Sequence, residues 1–218
     1  MEIKKIDKKN PRIALLVDAW FPLYGGGQVH VAEIARQLAE KHDYNVEIIT
    51  RKISGRSGSY ERELVDHPQI KVREFGIKSK FKNPFMRLYY MAATFVYLLI
   101  RNSGNKKFDL YHSHAVSSAI PMKMASWFTG VPTMLTVHGT TIFRRGWNFK
   151  KIIERVMFLE TKYSHEISVA ENFLKATNVN NNVSIIPNGI DLARFDKVEV
   201  EKSPGSFTVL FVGRLEYI

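Results

Sequence analysis

Arg12-Ile-Ala-Leu-Leu-Val17, running through Asp18-Ala-Trp-Phe-Pro-Leu-Tyr24 into Gly25-Gly26-Gly27-Gln28, decides the fold of this chain. The first stretch is an apolar run of strand length, the composition of a strand buried on both faces. Beyond the glycines, Val31, Ile34, Ala35, Leu38 and Ala39 recur at helical spacing, and His30, Glu33, Gln37 and Glu40 take the opposite face. That pattern predicts an amphipathic helix. A buried strand that turns through glycine into a helix is how a βαβ unit opens.

The alternation continues outward. Apolar runs predict strands at 46–50, 70–75, 109–112, 133–137, 166–169 and 183–186. Helical patterns fall at 84–101, 117–128, 149–161 and 172–176. Strands separated by helices imply parallel pairing and right-handed crossovers. The expected fold is therefore α/β, a Rossmann-like, doubly wound and mostly parallel sheet. The stretch 197–206, with Lys202-Ser-Pro-Gly205, reads as a linker, and Phe207-Thr-Val-Leu-Phe-Val212 reads as a fresh buried strand. The expected division is one domain over 1–200, with a linker and the first strand of a second domain over 201–218.

Composition narrows the class. The chain has 218 residues, 45% hydrophobic and 24% charged, which suits a folded domain with a full core. It has no cysteine, which excludes disulfides, thiolate metal sites and a cysteine nucleophile. A net charge of +11 calls for an anionic partner. Lys4, Lys5, Lys8, Lys9 and Arg12 precede an apolar run that Asp18 stops too early for a signal peptide, so an intracellular, cytoplasmic chain is expected. The uncharged run 88–100 would be about 20 Å long as a helix, short of a roughly 30 Å bilayer core.

Three constellations carry chemistry. Gly25, Gly26 and Gly27 stand where the first helix begins. They read either as a cradle whose N–H groups meet a phosphate or as a flexible loop. Neither the dinucleotide fingerprint nor the P-loop matches them. His112 and His114 in Tyr111-His-Ser-His-Ala115, and His138 in Thr136-Val-His-Gly-Thr-Thr141, fall at the carboxyl ends of predicted strands, where such sheets hold ligands. At i, i+2 the first two face the same way. His112 alone reads as a hydrogen-bonded core histidine. His138, followed by Gly139 and the Thr140 and Thr141 hydroxyls, suits a polyhydroxylated ligand. No carboxylate or cysteine stands at a spacing that completes a metal site, so no metal is expected.

The third is a charge window. Between Lys71 and Lys107 nine basic residues face a single acid, Glu74, so +8 of the net charge is local. Inside it lies a stretch from Pro84 to Ile100 that is apolar on nearly every side. It reads either as a helix covering the sheet amid solvated lysines or as a docking element for an anionic bilayer. No nucleic-acid recognition motif is present, and no nucleic-acid partner is expected.

In order along the chain come the glycine loop, His-x-His, Thr-Val-His-Gly, Ser168-Val-Ala-Glu171, Pro187-Asn-Gly-Ile-Asp191 and Phe211-Val-Gly-Arg-Leu215. This series resembles glycosyltransferase family 4, retaining enzymes in which two Rossmann-like domains face a cleft, the GT-B arrangement. The resemblance spans residues 12–215, with Ala170 where the family often has serine. It implies that this is the amino-terminal, acceptor-side half. Gly25, Gly26 and Gly27 would then meet the donor diphosphate and Arg214 would neutralise it. His138 would contact the sugar at the reacting centre. His114 and Thr140 are expected on the acceptor side.

The implied reaction moves a sugar from a nucleotide-sugar donor to a lipid-linked or membrane-proximal acceptor, by front-face displacement and with no metal or other cofactor. The family's paired glutamates and diphosphate-binding lysine belong to the carboxyl-terminal domain, so this chain is expected to be inactive without that partner domain. A peripheral place on the cytoplasmic face of a membrane, through 71–107, goes with this reading. Two alternatives stand beside it: a nucleotide-sugar epimerase of the same architecture, and a non-catalytic basic module that binds membranes or nucleic acid.

Overall fold

The computed structural model describes residues 10–23, 25–54, 65–140, 142, 146, 148–171, 180–189, 192 and 209. By its internal contacts the chain divides into two compact units, Met1–Asn188 and Gly189–Ile218. Only Gly189, Leu192 and Val209 of the second are among the described residues, and every strand and helix named below belongs to the first. The expected helix at 172–176, the expected strand at 207–212 apart from Val209, and Arg214 lie outside the described residues.

Seven strands form one sheet: β1 (Arg12–Leu16), β2 (Asn45–Ile53), β3 (Ile70–Ser79), β4 (Leu110–Ser113), β5 (Thr133–Val137), β6 (His165–Ser168) and β7 (Val183–Ile185). Their order is β3-β2-β1-β4-β5-β6-β7, and every neighbouring pair is parallel. This is the doubly wound sheet expected from the alternation. The chain works outward from β1 to one edge, then returns to β4 and works outward to the other. The strand order reverses between β1 and β4, and α/β sheets hold their ligands outside the strand carboxyl ends at such a reversal.

Alternation along β1 assigns the two faces. Ile13 and Leu15, with Val17 just beyond, pack under helix α1 (Gly26–His42) against Val31, Ala32, Ala35 and Ala39. Ala14 and Leu16 face the other way, into a core with Tyr90, Leu98, Ala119 and Met122. Those residues come from α2 (Pro84–Ser103) and α3 (Val116–Thr129). Asn83 caps α2, its Oδ1 accepting from Met86 N at 3.2 Å, with Pro84 in the first turn. Helix α3 ends at Gly130, whose φ of 70° is a left-handed stop that favours glycine. Helix α4 (Phe149–Arg155) runs on into a π-helical turn, Val156–Glu160, that buries Met157, Phe158 and Leu159.

Helix α2 covers the sheet with one side and leaves the other exposed. Tyr90, Thr94 and Leu98, four residues apart, are buried against the sheet, while Phe85, Leu88, Tyr89, Val96 and Ile100 stand in solvent. Trp127 and Phe128, at the end of α3, are 70% and 73% exposed. Phe95 of α2 meets the Phe128 ring edge-on at 6.0 Å, so the two helices present one apolar surface. Among the described residues no helix is long and apolar enough to cross a membrane.

Candidate functional site

The strand order makes a crevice of about 190 Å³ at the reversal between β1 and β4. Val17, Asp18 and Ala19 after β1 line it, with Gly27 and Gln28 of α1, Phe81, His114 and Ala115 after β4, and His138 after β5. A second hollow, of about 160 Å³, opens at the amino-terminal end of the strands between Arg12, Lys71, Arg101 and Lys106. The crevice lies at the end where parallel sheets bind ligands, and the hollow does not.

Two helix amino termini meet the crevice. Helix α1 starts after Gly25 and α3 after Ala115; neither has a side-chain cap or an acidic residue in its first turn. Their first N–H groups therefore lack intrahelical acceptors, and both dipoles put partial positive charge at the crevice. Neither backbone nor packing demands glycine at two of the three positions: a Cβ at Gly26 or Gly27 would have nothing within 4 Å. At Gly25 a Cβ would lie 2.7 Å from Gln28 Oε1, the end of a flexible side chain. The open space is what a backbone built for close approach of an anion would leave.

Beta periodicity gathers the histidines. Leu15 of β1 registers with His112 of β4, so His112 shares the face of the sheet that α1 covers. Period two puts His114 on the same face, and the two rings lie 4.2 Å apart. Thr136 and His138 follow suit from β5. His112 Nε2 is hydrogen-bonded to Thr136 Oγ1 at 2.8 Å, and His114 Nδ1 to His138 Nε2 at 3.1 Å. His30, from α1 above, stands edge-on to His138 with centroids 4.7 Å apart.

Burial strips these rings of protons. Desolvation, reinforced by repulsion from the neighbouring imidazoles, lowers His112 to about 3 and His138 to about 4. It also holds His114 well below the usual histidine range, and lowers His30. At neutral pH all four are uncharged, able to donate and accept hydrogen bonds. His114 Nε2 is buried without a hydrogen-bond partner among the described residues.

Asp18 forms the acidic side of the crevice and is itself tied down. Its Oδ1 lies 2.9 Å from Arg51 Nε and its Oδ2 3.1 Å from Arg87 Nε. Arg51 also donates from Nε to the Asp18 carbonyl at 3.1 Å and stacks on Phe81 at 4.9 Å. Its guanidinium is buried, which lowers its pKa despite the carboxylate beside it.

The structure thus brings together Gly27, His114 and His138 in the lining of one crevice, with Gly25 and Gly26 adjoining at the start of α1. Thr140 stands apart from that lining. Its hydroxyl donates to Glu154 Oε2 at 3.0 Å and accepts from Ile142 N at 3.0 Å. Arg214 lies outside the described residues. His30 is the member that sequence reasoning missed: it reads as one polar residue on the outer face of α1, and only the packing of α1 on the sheet brings its ring against those of His114 and His138.

A family model described as Glycosyltransferase Family 4 matches residues 24–194. Among solved structures, a piece of sucrose-phosphate synthase from Thermosynechococcus elongatus is similar, at 14% identity and TM-score 0.59, over 84% of this chain and 92% of that one. The longer form of that synthase gives 15% identity and TM-score 0.61, over 84% of this chain and 49% of that one. HepE from Anabaena, solved in complex with UDP and glucose, gives 15% identity and TM-score 0.57, over 84% and 46%. The chain therefore spans about half the length of the longer proteins it matches. No curated protein sequence matches it.

Proposed function

The chain belongs to glycosyltransferase family 4, and from that premise we propose that it is the acceptor-side half of a retaining enzyme that moves a sugar from a nucleotide-sugar donor to a lipid-linked acceptor. The observation that carries this reading is the crevice at the sheet's reversal. There Gly27 at one uncapped helix terminus, Ala115 at another, and the neutral imidazoles of His114 and His138 share one lining.

Each group then has a part. The amides at Gly25, Gly26 and Gly27 face the donor diphosphate, whose charge grows as the glycosidic bond to the sugar breaks. Fixed dipoles aimed at developing charge are the largest single contribution expected of such a site. Arg214, outside the described residues, keeps the part the family resemblance implies, neutralising the leaving diphosphate. His138 donates or accepts at the sugar hydroxyls; held neutral, it does not claim the phosphate for itself. His114 holds the His138 ring and forms the acceptor wall. Thr140, already engaged by Glu154, fixes the turn after β5 and acts on the acceptor through that turn. Retention follows by front-face displacement, the departing phosphate taking the acceptor proton, and no metal is needed. HepE has been solved with UDP-glucose, which supports a nucleotide-sugar donor for a chain of this fold.

The acceptor class is read from the apolar surface. Phe85, Leu88, Trp127 and Phe128 project beside a window carrying nine basic residues, an arrangement suited to anionic lipid headgroups with shallow insertion below them. The half-enzyme thus rests on the cytoplasmic face of the membrane and awaits its carboxyl-terminal domain for turnover. The test is to assay the complete enzyme with a panel of UDP- and GDP-sugars and membrane lipid acceptors. A glycolipid product with the anomeric configuration of the donor is expected. Nucleotide release with no glycoside formed would overturn the reading in favour of a nucleotide-sugar epimerase.

A further inference from the structure

Four histidines on three separate elements are more than a sugar contact requires. The metal-ligating nitrogens of His30, His114 and His138 all lie within 4.8 Å of one another. Two of them, His114 Nδ1 and His138 Nε2, are 3.1 Å apart. In a tetrahedral site with metal–nitrogen bonds of about 2.0–2.1 Å, ligand atoms sit about 3.3 Å from each other. The His114–His138 pair is therefore already at the edge length of such a site, and His30 needs only a side-chain adjustment to close the triangle.

We propose that His30, His114 and His138 form a binding site for a borderline divalent transition metal such as Zn²⁺, at the inner end of the crevice. The donor set selects the ion. Three imidazoles with no carboxylate suit Zn²⁺, Co²⁺, Ni²⁺ or Cu²⁺, and offer nothing to Mg²⁺ or Ca²⁺, which require oxygen ligands. Metal ligation needs a bare nitrogen on each ring, so the proton shared between His114 Nδ1 and His138 Nε2 moves to the far nitrogen of its own imidazole as the ion takes its place. Two ligands stand at the ends of adjacent strands and the third on the helix above, so the sheet and α1 hold the triangle without a flexible loop. His112 stays outside the set: its Nε2 points to Thr136 Oγ1, away from the cluster that His30, His114 and His138 form. Three protein ligands leave a fourth position for water or an anion from the crevice. The site stands independently of the transferase reading. Only its consequence rests on that reading: an ion on His138 would compete with the sugar, so the metal is an inhibitor of transfer and no part of it.

The experiment uses the untagged chain stripped of metal, titrated with Zn²⁺ by calorimetry and with Co²⁺ by visible absorption. One equivalent is expected, with the intense Co²⁺ absorption of a four-coordinate nitrogen site. His30→Ala should weaken binding by at least about 100-fold, since loss of even an outer-shell partner costs about 10–100-fold. His30 is half-buried on a helix, so alanine there keeps the fold, as circular dichroism would verify, and His114→Ala should act in the same way. His42→Ala, at an exposed histidine in the last turn of the same helix, should leave binding unchanged. Absence of one-equivalent binding, or binding undiminished by His30→Ala, would overturn the proposal.

Discussion

His114 Nδ1 lies 3.1 Å from His138 Nε2, although the two residues follow different strands and are 24 positions apart. One of these nitrogens carries the proton and the other accepts it, so fixing the tautomer of either ring fixes that of its neighbour. The pair ties the end of β4 to the end of β5 where both residues line the crevice. Whatever His138 does to a ligand, His114 sets the ring angle and the proton inventory with which it does it.

His138→Ala in the complete enzyme should lower kcat by about 10²–10³-fold, the effect of removing one well-placed polar group from a transition state. The fold should survive, because His138 is only partly buried and the lost hydrogen bond is worth about 1 kcal/mol. Steady-state kinetics alongside thermal denaturation check this. Unchanged turnover would remove His138 from the reacting centre.

Stability should peak near neutrality, for two opposed reasons. His112 and His138 titrate at about 3 and about 4 in the fold, against about 6.5 in the unfolded chain. Between those values the unfolded state binds more protons, so acidification below about pH 6.5 destabilises the fold, by about 1.4 kcal/mol per pH unit for each buried ring. Glu166 has the opposite sign. It is wholly buried in β6, accepts from Asn180 Nδ2 at 2.8 Å, and burial raises it to about 8. Its proton is retained only by the fold, so stability drains as pH rises from the ordinary carboxyl range to about 8. Urea midpoints at pH 5, 6.5 and 8 should be highest at the middle value. Glu166→Gln should raise the midpoint at pH 8 while changing little at pH 5.

Sequence reached the frame of the molecule further than its chemistry. An uninterrupted apolar run identified β1, and Thr133-Met-Leu-Thr-Val137 gave β5 with the bounds the structure has, because strands buried on both faces leave no ambiguity of period. Helix α2 resisted, since a stretch apolar on nearly every side cannot say which side is covered. The π-helical turn at Val156–Glu160 left no sequence signal beyond helix. His30 and Glu166 were invisible for a common reason. Each reads as a polar residue that solvent would accept, and only a packing partner far along the chain buries it.

Asp18→Asn should cost about 3–5 kcal/mol, measured by chemical denaturation. Removing the carboxylate leaves the buried Arg51 guanidinium with no opposite charge, and breaking one side of a buried pair is costly on that scale. Because Asp18 lines the crevice, donor affinity should fall with it. Full retention of stability would show that Arg51 reaches another partner.

Replacing Trp127 and Phe128 by serine should weaken co-sedimentation with anionic vesicles by about 10–150-fold for each aromatic that inserts, at about 1.5–3 kcal/mol for a fully buried side chain. Both residues are mostly exposed, so thermal stability should hold. Raised salt should weaken binding of both proteins by screening the basic window. Equal binding of variant and parent would place the lipid contact elsewhere.

The most direct measurement of the central claim is the affinity of the complete enzyme for its nucleotide-sugar when Gly27 is replaced by valine. A Cβ at Gly27 meets nothing within 4 Å of protein, so melting temperature should stay close to that of the parent. Only a group arriving at the start of α1 would feel the added side chain, and donor affinity should drop at least about tenfold through lost amide contacts, each worth about 1.5–3 kcal/mol to a charged partner. Donor affinity equal to that of the parent, in a protein equally stable, would contradict a leaving diphosphate held at this helix terminus.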